Sequence, residues 1–531
     1  MKPEPSIIPR PATERYPGGE IRWTPAEKGS VFAGPGCRSV AALAAALLSR
    51  APGRDWPAVD DPRGAFLRFE LDASDGAYAD EGYGLVVDAD GVRCRARSAA
   101  GLFNALQSLR QLLPPAIETA GGLSSGFSLP FATVEDSPRF SWRGFMLDEA
   151  RHFHGLETVK ALLDLMALYK LNVFHWHLND DQGWRLESRR YPELTRVGSK
   201  RRDTVIGGFG AAALAGISYQ GSYTQDEARE IVRYAAERHI TVVPEFELPG
   251  HASAALAAYP ELGCTGGPYA VRIGPGIFKD IYCAGKDATL SFIDGVLDEL
   301  CDIFPSAYIH LGGDEAPKDR WRACPACRAR IEREGLSGED ALQAWLFNRA
   351  AERLAARGRR AIGWNEALNP ALRPDAAAQF WRGGKAVMRR HLRGGRSFIM
   401  SDFWRAYLDY DYCLHPLKKA YAYEPVPAGL PEANVLGVES PLWTEWVADR
   451  SRLDWQTFPR LLAGAETAWT RRDRKDYRRF ESRLVEHLPR LDALGVRYAP
   501  RAEWNPPPPI RAVKNACFLV RMATNLRRRA E

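Results

Sequence analysis

Short apolar runs alternate with longer segments of helical periodicity between about residue 140 and residue 500. Alternating strand and helix predicts a parallel sheet, and eight repeats favour a closed (β/α)8 barrel over an open sheet. An open doubly wound sheet would be expected to carry a Gly-rich turn after its first strand, but Asp148-Glu149-Ala150-Arg151 stands there. The predicted strands cover residues 142–147, 171–178, 240–246, 307–311, 361–364, 377–381, 398–403 and 435–442.

The chain before residue 138 has a different pattern, which predicts a small α+β domain. Its predicted elements are a helix over 40–50, a strand over 66–71, a hairpin over 84–96 and a helix over 98–113. Ser137-Pro138 interrupts the pattern, so we predict an N-terminal α+β domain over 1–138 and a catalytic barrel over 139–500. The remaining residues, 501–531, read as a basic tail with an amphipathic helix over 510–529, which is usually a solvated face.

Composition narrows the classes of protein that remain. The 531 residues are 45% hydrophobic and 26% charged, as in ordinary globular proteins. The net charge of +6, from 72 basic and 66 acidic residues, is too dilute to predict a nucleic-acid partner. No run approaches the roughly 18 apolar residues of a membrane span, and residues 1–10 carry no apolar signal core. We therefore expect a cytoplasmic protein, and no pattern predicts an oligomeric state.

Acids, histidines and tryptophans follow the predicted strands at the end where barrel enzymes carry their active sites. Carboxylates that converge with aromatic faces favour carbohydrate chemistry, because sugars offer hydroxyls to acids and flat C–H faces to rings. Cleaving a glycosidic bond needs an acid on the leaving oxygen and a group that stabilises positive charge at the anomeric carbon. The sequence therefore favours a glycoside hydrolase.

The adjacent pair Asp314-Glu315 is the centre of this interpretation. Neighbouring side chains diverge, so the two cannot flank one bond as acid and nucleophile. Glu315 is the candidate general acid and then general base, which leaves Asp314 to hold another part of the substrate. The alternative is a Gly-Gly-Asp-Glu turn that caps the following helix.

Residues 139–500 resemble the catalytic barrel of family-20 glycoside hydrolases, the β-N-acetylhexosaminidases. The motifs that carry the resemblance cover residues 146–153, 175–184, 244–251, 310–315 and 442–445. The region before residue 138 is more weakly similar to the N-terminal domain of that family, and residues 101–107 carry this similarity. The resemblance implies an exo-acting, retaining enzyme that removes terminal β-linked N-acetylglucosamine or N-acetylgalactosamine. It also implies substrate assistance, in which the 2-acetamido oxygen attacks the anomeric carbon and forms an oxazolinium ion.

The resemblance also assigns roles to residues of this chain. Glu315 matches the acid/base, Asp314 the residue that orients the acetamido N–H, and Tyr407 the hydroxyl that holds the acetamido oxygen. The residues that match substrate-binding or supporting positions are Arg151, Asp180, His251, Trp364, Trp381, Asp409, Trp443 and Glu445. No cofactor and no metal are implied.

Two other functions fit parts of the pattern. His175-x-His177 places two imidazoles on one face of a strand, as in metal-dependent barrel hydrolases. A sugar-binding relative that has lost turnover is the second alternative, although binding alone has no need for the proton donor Glu315.

The nine cysteines are too sparse for a disulfide scaffold. Cys324-Pro325-Ala326-Cys327 is a lone Cys-x-x-Cys, and a zinc ribbon needs a second pair, so a local disulfide or free thiols are favoured. Cys264 and Cys283 bracket a loop. In the family that this chain resembles, secreted members carry a disulfide at a similar place. In a cytoplasmic protein we expect these thiols to be reduced.

Overall fold

The structure is a computed structural model that describes residues 5–24, 29–50, 56–72, 74, 78–124, 126–207 and 213–530, with side chains to residue 520. The chain divides into two compact units. The first comprises Met1–Arg143, Asp164–Asn172 and Phe458–Ala499, and the second Gly144–Leu163, Val173–Thr457 and Pro500–Glu531. The sequence boundaries near residues 138 and 500 stay predictions.

The first unit contains a mixed sheet of seven described strands, which are Thr13–Arg15, Val31–Ala33, Ala58–Val59, Leu67–Leu71, Tyr83–Asp88, Gly91–Ala96 and Ala132–Asp136. A further pair joins Glu20–Trp23 to Phe127–Pro130. The predicted hairpin is confirmed, and it turns at Gly91, whose φ of 116° only glycine adopts without strain. A Cβ at Gly91 would lie 2.4 Å from the carbonyl oxygen of Phe66, so glycine also permits the close approach.

Two predicted helices of this unit are confirmed as Arg38–Leu48 and Ala99–Leu112. Ser98 caps the second, because its side chain accepts a hydrogen bond from the backbone N–H of Gly101 at 3.1 Å. Buried aromatic rings anchor the core of the unit, with Trp23 lying 5.1 Å from Trp56. The further helices assigned wholly to this unit are Arg460–Trp469 and Tyr477–Ala493.

Eight parallel strands of the described chain close into a barrel, which confirms the predicted (β/α)8 architecture. Each strand lies within or beside its predicted apolar run, and nearly every strand residue is buried, as expected for a parallel sheet covered on both faces. The barrel strands are Trp142–Asp148, Val173–His177, Thr241–Glu245, Tyr308–His310, Arg360–Trp364, Ala377–Phe380, Phe398–Met400 and Val435–Leu442.

Helices separate these strands along the chain. Gln225–Ala236 begins with a capping box, in which Thr224 and Glu227 each bond to the backbone of the other. The other long helices between strands are Leu156–Leu168, Asp287–Ile303, Glu339–Ala356 and Lys385–Arg393. Shorter helices are Glu193–Arg196, Ser253–Ala258, Asp319–Ala323, Pro325–Arg333, Leu417–Tyr421 and Arg450–Thr457.

The longest loop lies between the second and third barrel strands and carries three short hairpins. The paired segments are Asn179–Asp180 with Gly183–Trp184, Lys200–Arg201 with Tyr219–Gln220, and Val205–Ile206 with Ala213–Leu214. The predicted C-terminal helix is confirmed as Pro508–Ala530. None of the helices in the described part of the chain has both the length and the apolar character of a membrane span.

Candidate active site

A cavity of about 990 Å³ opens at the carboxyl ends of the barrel strands. The polar and aromatic residues predicted from the sequence meet there, because segments that follow seven of the eight strands contribute to the cavity wall. Ten predicted site residues line the cavity: Arg151, Asp180, His251, Asp314, Glu315, Trp381, Tyr407, Asp409, Trp443 and Glu445. Their roles stay predictions, but their juxtaposition is a property of the structure.

Trp364 is the exception among the predicted site residues, since it is not part of the cavity wall. Its ring is only 1% exposed and lies 6.0 Å from Trp443 and 6.4 Å from Trp381. Its indole N–H donates to Glu245 at 2.8 Å. Trp364 therefore packs against the two tryptophans that form the wall, and its place in the aromatic box that the resemblance implied stays a prediction.

The backbone before the carboxylate pair has an unusual conformation. Gly312 has a φ of 62°, and a Cβ there would lie 1.8 Å from a carboxylate oxygen of Glu247. Glu315 has a φ of 44°, a conformation that costs free energy in a non-glycine residue and is found most often at functional sites. The turn does not cap the next helix, because Asp319–Ala323 begins four residues later with Lys318 as its N-cap. The capping alternative is therefore wrong.

Asp314 is a buried carboxyl with an unused acceptor. Its Oδ1 has no hydrogen-bond partner among the described residues, and its Oδ2 lies 3.8 Å from Nε2 of His251. Burial raises the pKa of Asp314 to about 7, and the neighbouring carboxylate of Glu315 adds to the increase, while His251 opposes it. A substrate N–H that bonded to Oδ1 would favour the charged form.

Glu315 is the more exposed member of the pair, with 20% of its side chain accessible. Its Oε1 accepts a hydrogen bond from the Arg382 guanidinium at 2.6 Å, and its backbone N–H donates to Glu366 at 2.9 Å. Its Oε2 lies 3.8 Å from Nε2 of His251. The carboxyl group is thus held at the cavity surface, where it can reach a leaving oxygen.

A chain of charged groups supports the pair from below. Nδ1 of His251 lies 3.1 Å from Asp180 and 3.2 Å from Asp181. Burial acts to lower the pKa of His251, but these carboxylates hold it well above the usual value, so the imidazole carries a positive charge. Asp180 in turn pairs with Arg151 at 2.7 Å.

Arg151 belongs to a second polar group on the cavity wall, which is joined to the carboxylate pair through Asp180 and His251. Its guanidinium lies 3.2 Å from Asp148 and 4.0 Å from Glu445, and it stacks over the ring of Trp443 at 5.0 Å. Burial raises the pKa of Glu445, although the charge of Arg151 opposes the increase. This group can bind sugar hydroxyls with both donors and acceptors.

Aromatic rings line the cavity beside both polar groups, with Trp443 under Arg151 and Trp381 under Arg382. The rings of Tyr407 and Trp381 are parallel within 14° at 6.2 Å, and Trp443 lies 6.5 Å from Tyr407. Burial raises the pKa of Tyr407 well above its usual value, so its hydroxyl stays a donor at neutral pH. Flat rings around one hydroxyl form a slot suited to a small planar group such as an amide.

Known proteins with sequences and structures similar to this chain share one family. Residues 140–472 match the family described as "Glycosyl hydrolase family 20, catalytic domain", and residues 4–137 match "Glycosyl hydrolase family 20, domain 2". The chain belongs to glycoside hydrolase family 20. The family resemblance predicted from the sequence motifs is thereby confirmed.

Individual relatives agree with this assignment. A β-hexosaminidase of Porphyromonas gingivalis is 42% identical over 433 residues, which are 79% of this chain and 54% of that protein. The chain thus spans about half the length of this relative. The solved GH20 β-N-acetylhexosaminidase of Streptomyces coelicolor has a TM-score of 0.83 at 34% identity, covering 95% of this chain and 99% of its own. The GH20 exo-β-N-acetylglucosaminidase of Vibrio harveyi, solved with N-acetylglucosamine, has a TM-score of 0.82 at 32% identity, covering 93% and 78%.

The histidines of the metal alternative lie beneath the cavity of this family-20 chain, bonded to acids. His175 lies 2.8 Å from Glu439 and 3.2 Å from Glu245, and His177 contacts Glu245 and, at 3.2 Å, Asp180. Burial acts to lower their pKa values, but these carboxylates raise that of His175 to about 10 and that of His177 to about 9. Each imidazole is thus paired with at least two buried carboxylates, the arrangement of a hydrogen-bonded ion-pair network.

Three features of the family-20 site escaped the sequence reasoning. Glu247 is 1% exposed and has no hydrogen-bond partner for either oxygen among the described residues, and burial beside Asp314 raises its pKa well above the usual value. Arg382 binds the Glu315 carboxylate. Both follow predicted strands, so the strand-end rule pointed to their segments without selecting them. Lys514 and Phe518 bring the C-terminal helix to the cavity wall, which its basic composition did not predict.

Proposed function

We propose that this chain is an exo-acting β-N-acetylhexosaminidase that removes terminal β-linked N-acetylglucosamine or N-acetylgalactosamine with retention of configuration. One observation carries the proposal: Asp314, Glu315 and Tyr407 line the same cavity, with the aromatic slot of Trp381 and Trp443 beside them. Substrate-assisted cleavage of an N-acetylated sugar requires a proton donor at the cavity surface, here Glu315. It also requires a buried acceptor with a free lone pair for the amide N–H, here Asp314. The relatives named above are described as a β-hexosaminidase, a β-N-acetylhexosaminidase and an exo-β-N-acetylglucosaminidase, which supports the proposal.

The first step breaks the glycosidic bond. The carbonyl oxygen of the substrate's 2-acetamido group attacks the anomeric carbon, and Glu315 transfers its proton to the departing glycosidic oxygen. The alcohol leaves, and the sugar becomes a bicyclic oxazolinium ion. Glu315, now a carboxylate, takes a proton from water, whose oxygen attacks the anomeric carbon and reopens the ring. Two displacements at one carbon retain its configuration.

Asp314 and Tyr407 act on the amide during these steps. The Oδ1 atom of Asp314, which no described residue occupies, accepts the amide N–H, and the negative charge stabilises the positive charge that develops on the ring. The Tyr407 hydroxyl donates to the carbonyl oxygen and holds it in line with the anomeric carbon. Orienting the attacking atom in advance lowers the barrier, because the reaction becomes intramolecular.

The ion-pair group around Arg151 supports exo action. Arg151 and Glu445 hold the hydroxyls farthest from the scissile bond, and the paired Asp148 and Asp180 keep the guanidinium in place. A group of paired charges can hold the terminal sugar of a chain by those hydroxyls, which is the proposed basis of exo action.

The deciding experiment compares two aryl β-glycosides that differ only at carbon 2. We expect the N-acetyl-β-glucosaminide to be cleaved with kcat/KM at least about 10³-fold higher than the plain β-glucoside with the same leaving group. A thiazoline that mimics the oxazolinium ion should inhibit strongly. Equal rates on the two glycosides would contradict substrate assistance, and tight binding of the N-acetylated compound without aryl release would indicate a sugar-binding protein.

A further inference from the structure

Four cysteines outside the cavity converge in the second unit. The thiols of Cys264, Cys283, Cys324 and Cys327 all lie within 4.8 Å of one another. The Sγ atom of Cys283 is 3.5 Å from that of Cys327 and 3.7 Å from that of Cys324, and Cys264 is 3.9 Å from Cys327. The second pair that the Cys-x-x-Cys motif lacked in sequence is therefore supplied by the fold.

These distances fit a metal better than a disulfide. A disulfide places its sulfurs about 2.0 Å apart, and all nine cysteines have free thiols in this structure. The bond between Cys264 and Cys283 that the family resemblance suggested is thus absent from it. Four thiolates at about 2.3 Å from a tetrahedral zinc ion lie about 3.8 Å from one another. The three separations given above, 3.5, 3.7 and 3.9 Å, span that value.

The backbone around the cluster is built for this approach. Gly285 packs so closely on the Cys-x-x-Cys turn that a Cβ there would lie 2.2 Å from the carbonyl carbon of Ala326. The indole N–H of Trp321 donates to the carbonyl of Tyr282 at 2.8 Å, and the backbone N–H of Cys283 donates to Leu262, also at 2.8 Å. Hydrogen bonds therefore bring Cys283 to the segment that precedes the Cys-x-x-Cys motif, and the thiols converge where these segments meet.

We propose that these four cysteines bind one Zn²⁺ ion in a closed, tetrahedral structural site. All-sulfur tetrahedral coordination is typical of zinc and iron, and four protein ligands leave no position for a substrate or a water. Three of the cysteines are buried and Cys264 is partly exposed, so a metal can enter from that side. Binding displaces the thiol protons, which pass to solvent.

The site would fasten one wall of the catalytic cavity. Cys264 and Cys283 stand at the two ends of a loop, and residues 274–277 of that loop line the cavity. The motif Cys324-x-x-Cys327 begins nine residues after Glu315 in the chain. Loss of the metal should therefore loosen the loop and raise KM more than it lowers kcat, because the acid and its supporting ion pairs stay in place.

Metal content of the full chain, purified without a metal-binding tag, is the direct test. We expect one zinc per chain by elemental mass spectrometry. Replacement by Co²⁺ should give the intense near-ultraviolet absorption of cobalt–thiolate bonds, together with the visible bands of a tetrahedral ion. Cys264→Ser should lose most of the zinc and lower the melting temperature. Cys301→Ser changes a buried thiol outside the cluster and should retain one zinc, so it is the matched control.

Each other outcome overturns the proposal. Less than about 0.1 zinc per chain with nine thiols that react after denaturation would leave a cluster of free cysteines. Fewer than nine reactive thiols in unreduced protein would indicate disulfides, and one iron with visible colour would exclude zinc. Because metal and thiols are counted without substrate, this result stands apart from the test of glycosidase activity. Wild-type metal content decides the matter even if the Cys264 variant fails to fold.

Discussion

Two polar groups line the cavity and differ in how completely the protein satisfies their hydrogen bonds and charges. We call the Asp314-Glu315 pair the acid end. The ion pairs of Arg151 are called the far end, because the proposed function places them farthest from the scissile bond. At the far end, Arg151 lies within 4.0 Å of three carboxylates, those of Asp148, Asp180 and Glu445. At the acid end, Asp314 keeps one oxygen without a partner in the described chain, and Glu315 has a positive φ. Buried charges are stable only when paired, and an unpaired buried acceptor costs about 1–3 kcal/mol.

This difference separates binding from chemistry. The far end is complete before a sugar arrives, so it contributes affinity that is equal in the ground state and the transition state. The acid end has groups that only the substrate amide can satisfy, so its contribution grows as the reaction proceeds. Substitutions at the acid end should therefore lower kcat, and substitutions at the far end should mainly raise KM.

Glu315→Gln should have the largest effect. Loss of the proton donor should lower kcat by about 10²–10⁴-fold while KM changes little, because the amide keeps the shape of the side chain. The loss should be greatest for alcohols that leave poorly, and this is checked with a series of aryl N-acetyl-β-glucosaminides. Glu366→Gln is the matched control, since Glu366 accepts from the Glu315 backbone and contacts Arg382 but does not line the cavity. A similar loss in both variants would contradict the assignment.

Asp314→Asn should come next, with kcat lowered by about 10²–10³-fold through loss of one charged acceptor in the transition state. Its KM for the N-acetylated sugar should change less. Residual activity toward a plain glucoside should be unaffected, because that sugar has no amide to orient. Equal losses on both substrates would assign Asp314 a structural role.

The same variant tests the strain at the acid end through stability. The pKa of Asp314 rises from an ordinary 3.8 to about 7, mainly because of burial, so the folded protein binds a proton there that the unfolded chain has released. This contribution to stability is present below pH 4 and is lost as pH rises through about 7. Asp314→Asn, which cannot ionise, should therefore melt at a higher temperature than the parent at pH 8. The advantage should shrink at pH 5.

Most of this arrangement could be predicted from the sequence, because strands and helices leave patterns over a few neighbouring residues. An apolar run followed by a helical pattern is visible in a short window, and eight of them imply a barrel whose strand ends meet. Whether a side chain reaches the surface of the cavity wall depends on the folded structure and leaves no such pattern in the neighbouring sequence. Trp364 ends its strand and is buried, whereas Trp381 follows its strand and lines the cavity, yet the two tryptophans look alike in sequence.

The four-cysteine cluster shows a second reason why sequence falls short. Cys283 and Cys324 are 41 residues apart, and their contact depends on how the loop that ends at Cys283 packs against the start of the helix Pro325–Arg333. That loop has no periodic pattern from which its path can be predicted. Gly285 is the one local sign of the close packing, but a glycine in a loop has many explanations.

Glu445→Gln tests the far end. Removing one charge near Arg151 should raise KM about 10- to 100-fold, the value of a hydrogen bond to a charged group, with kcat within a few-fold of the parent. The amide keeps the size of the side chain, and Asp148 and Asp180 still neutralise Arg151. Steady-state kinetics on one aryl substrate separates the two constants. A loss confined to kcat would remove the distinction between the two ends.

Arg382→Gln should have the smallest effect, although Arg382 touches the proposed acid. Its side chain is 43% exposed, and its contacts with Glu315 at 2.6 Å and Glu366 at 3.3 Å are ion pairs at the cavity mouth. Exposed pairs contribute about 0–1 kcal/mol, so kcat/KM should change by no more than about fivefold. The melting temperature should stay within a degree or two of the parent. A loss as large as that of Glu315→Gln would mean that Arg382 contacts the reacting atoms, and the acid end would then hold a charge that is needed for catalysis itself.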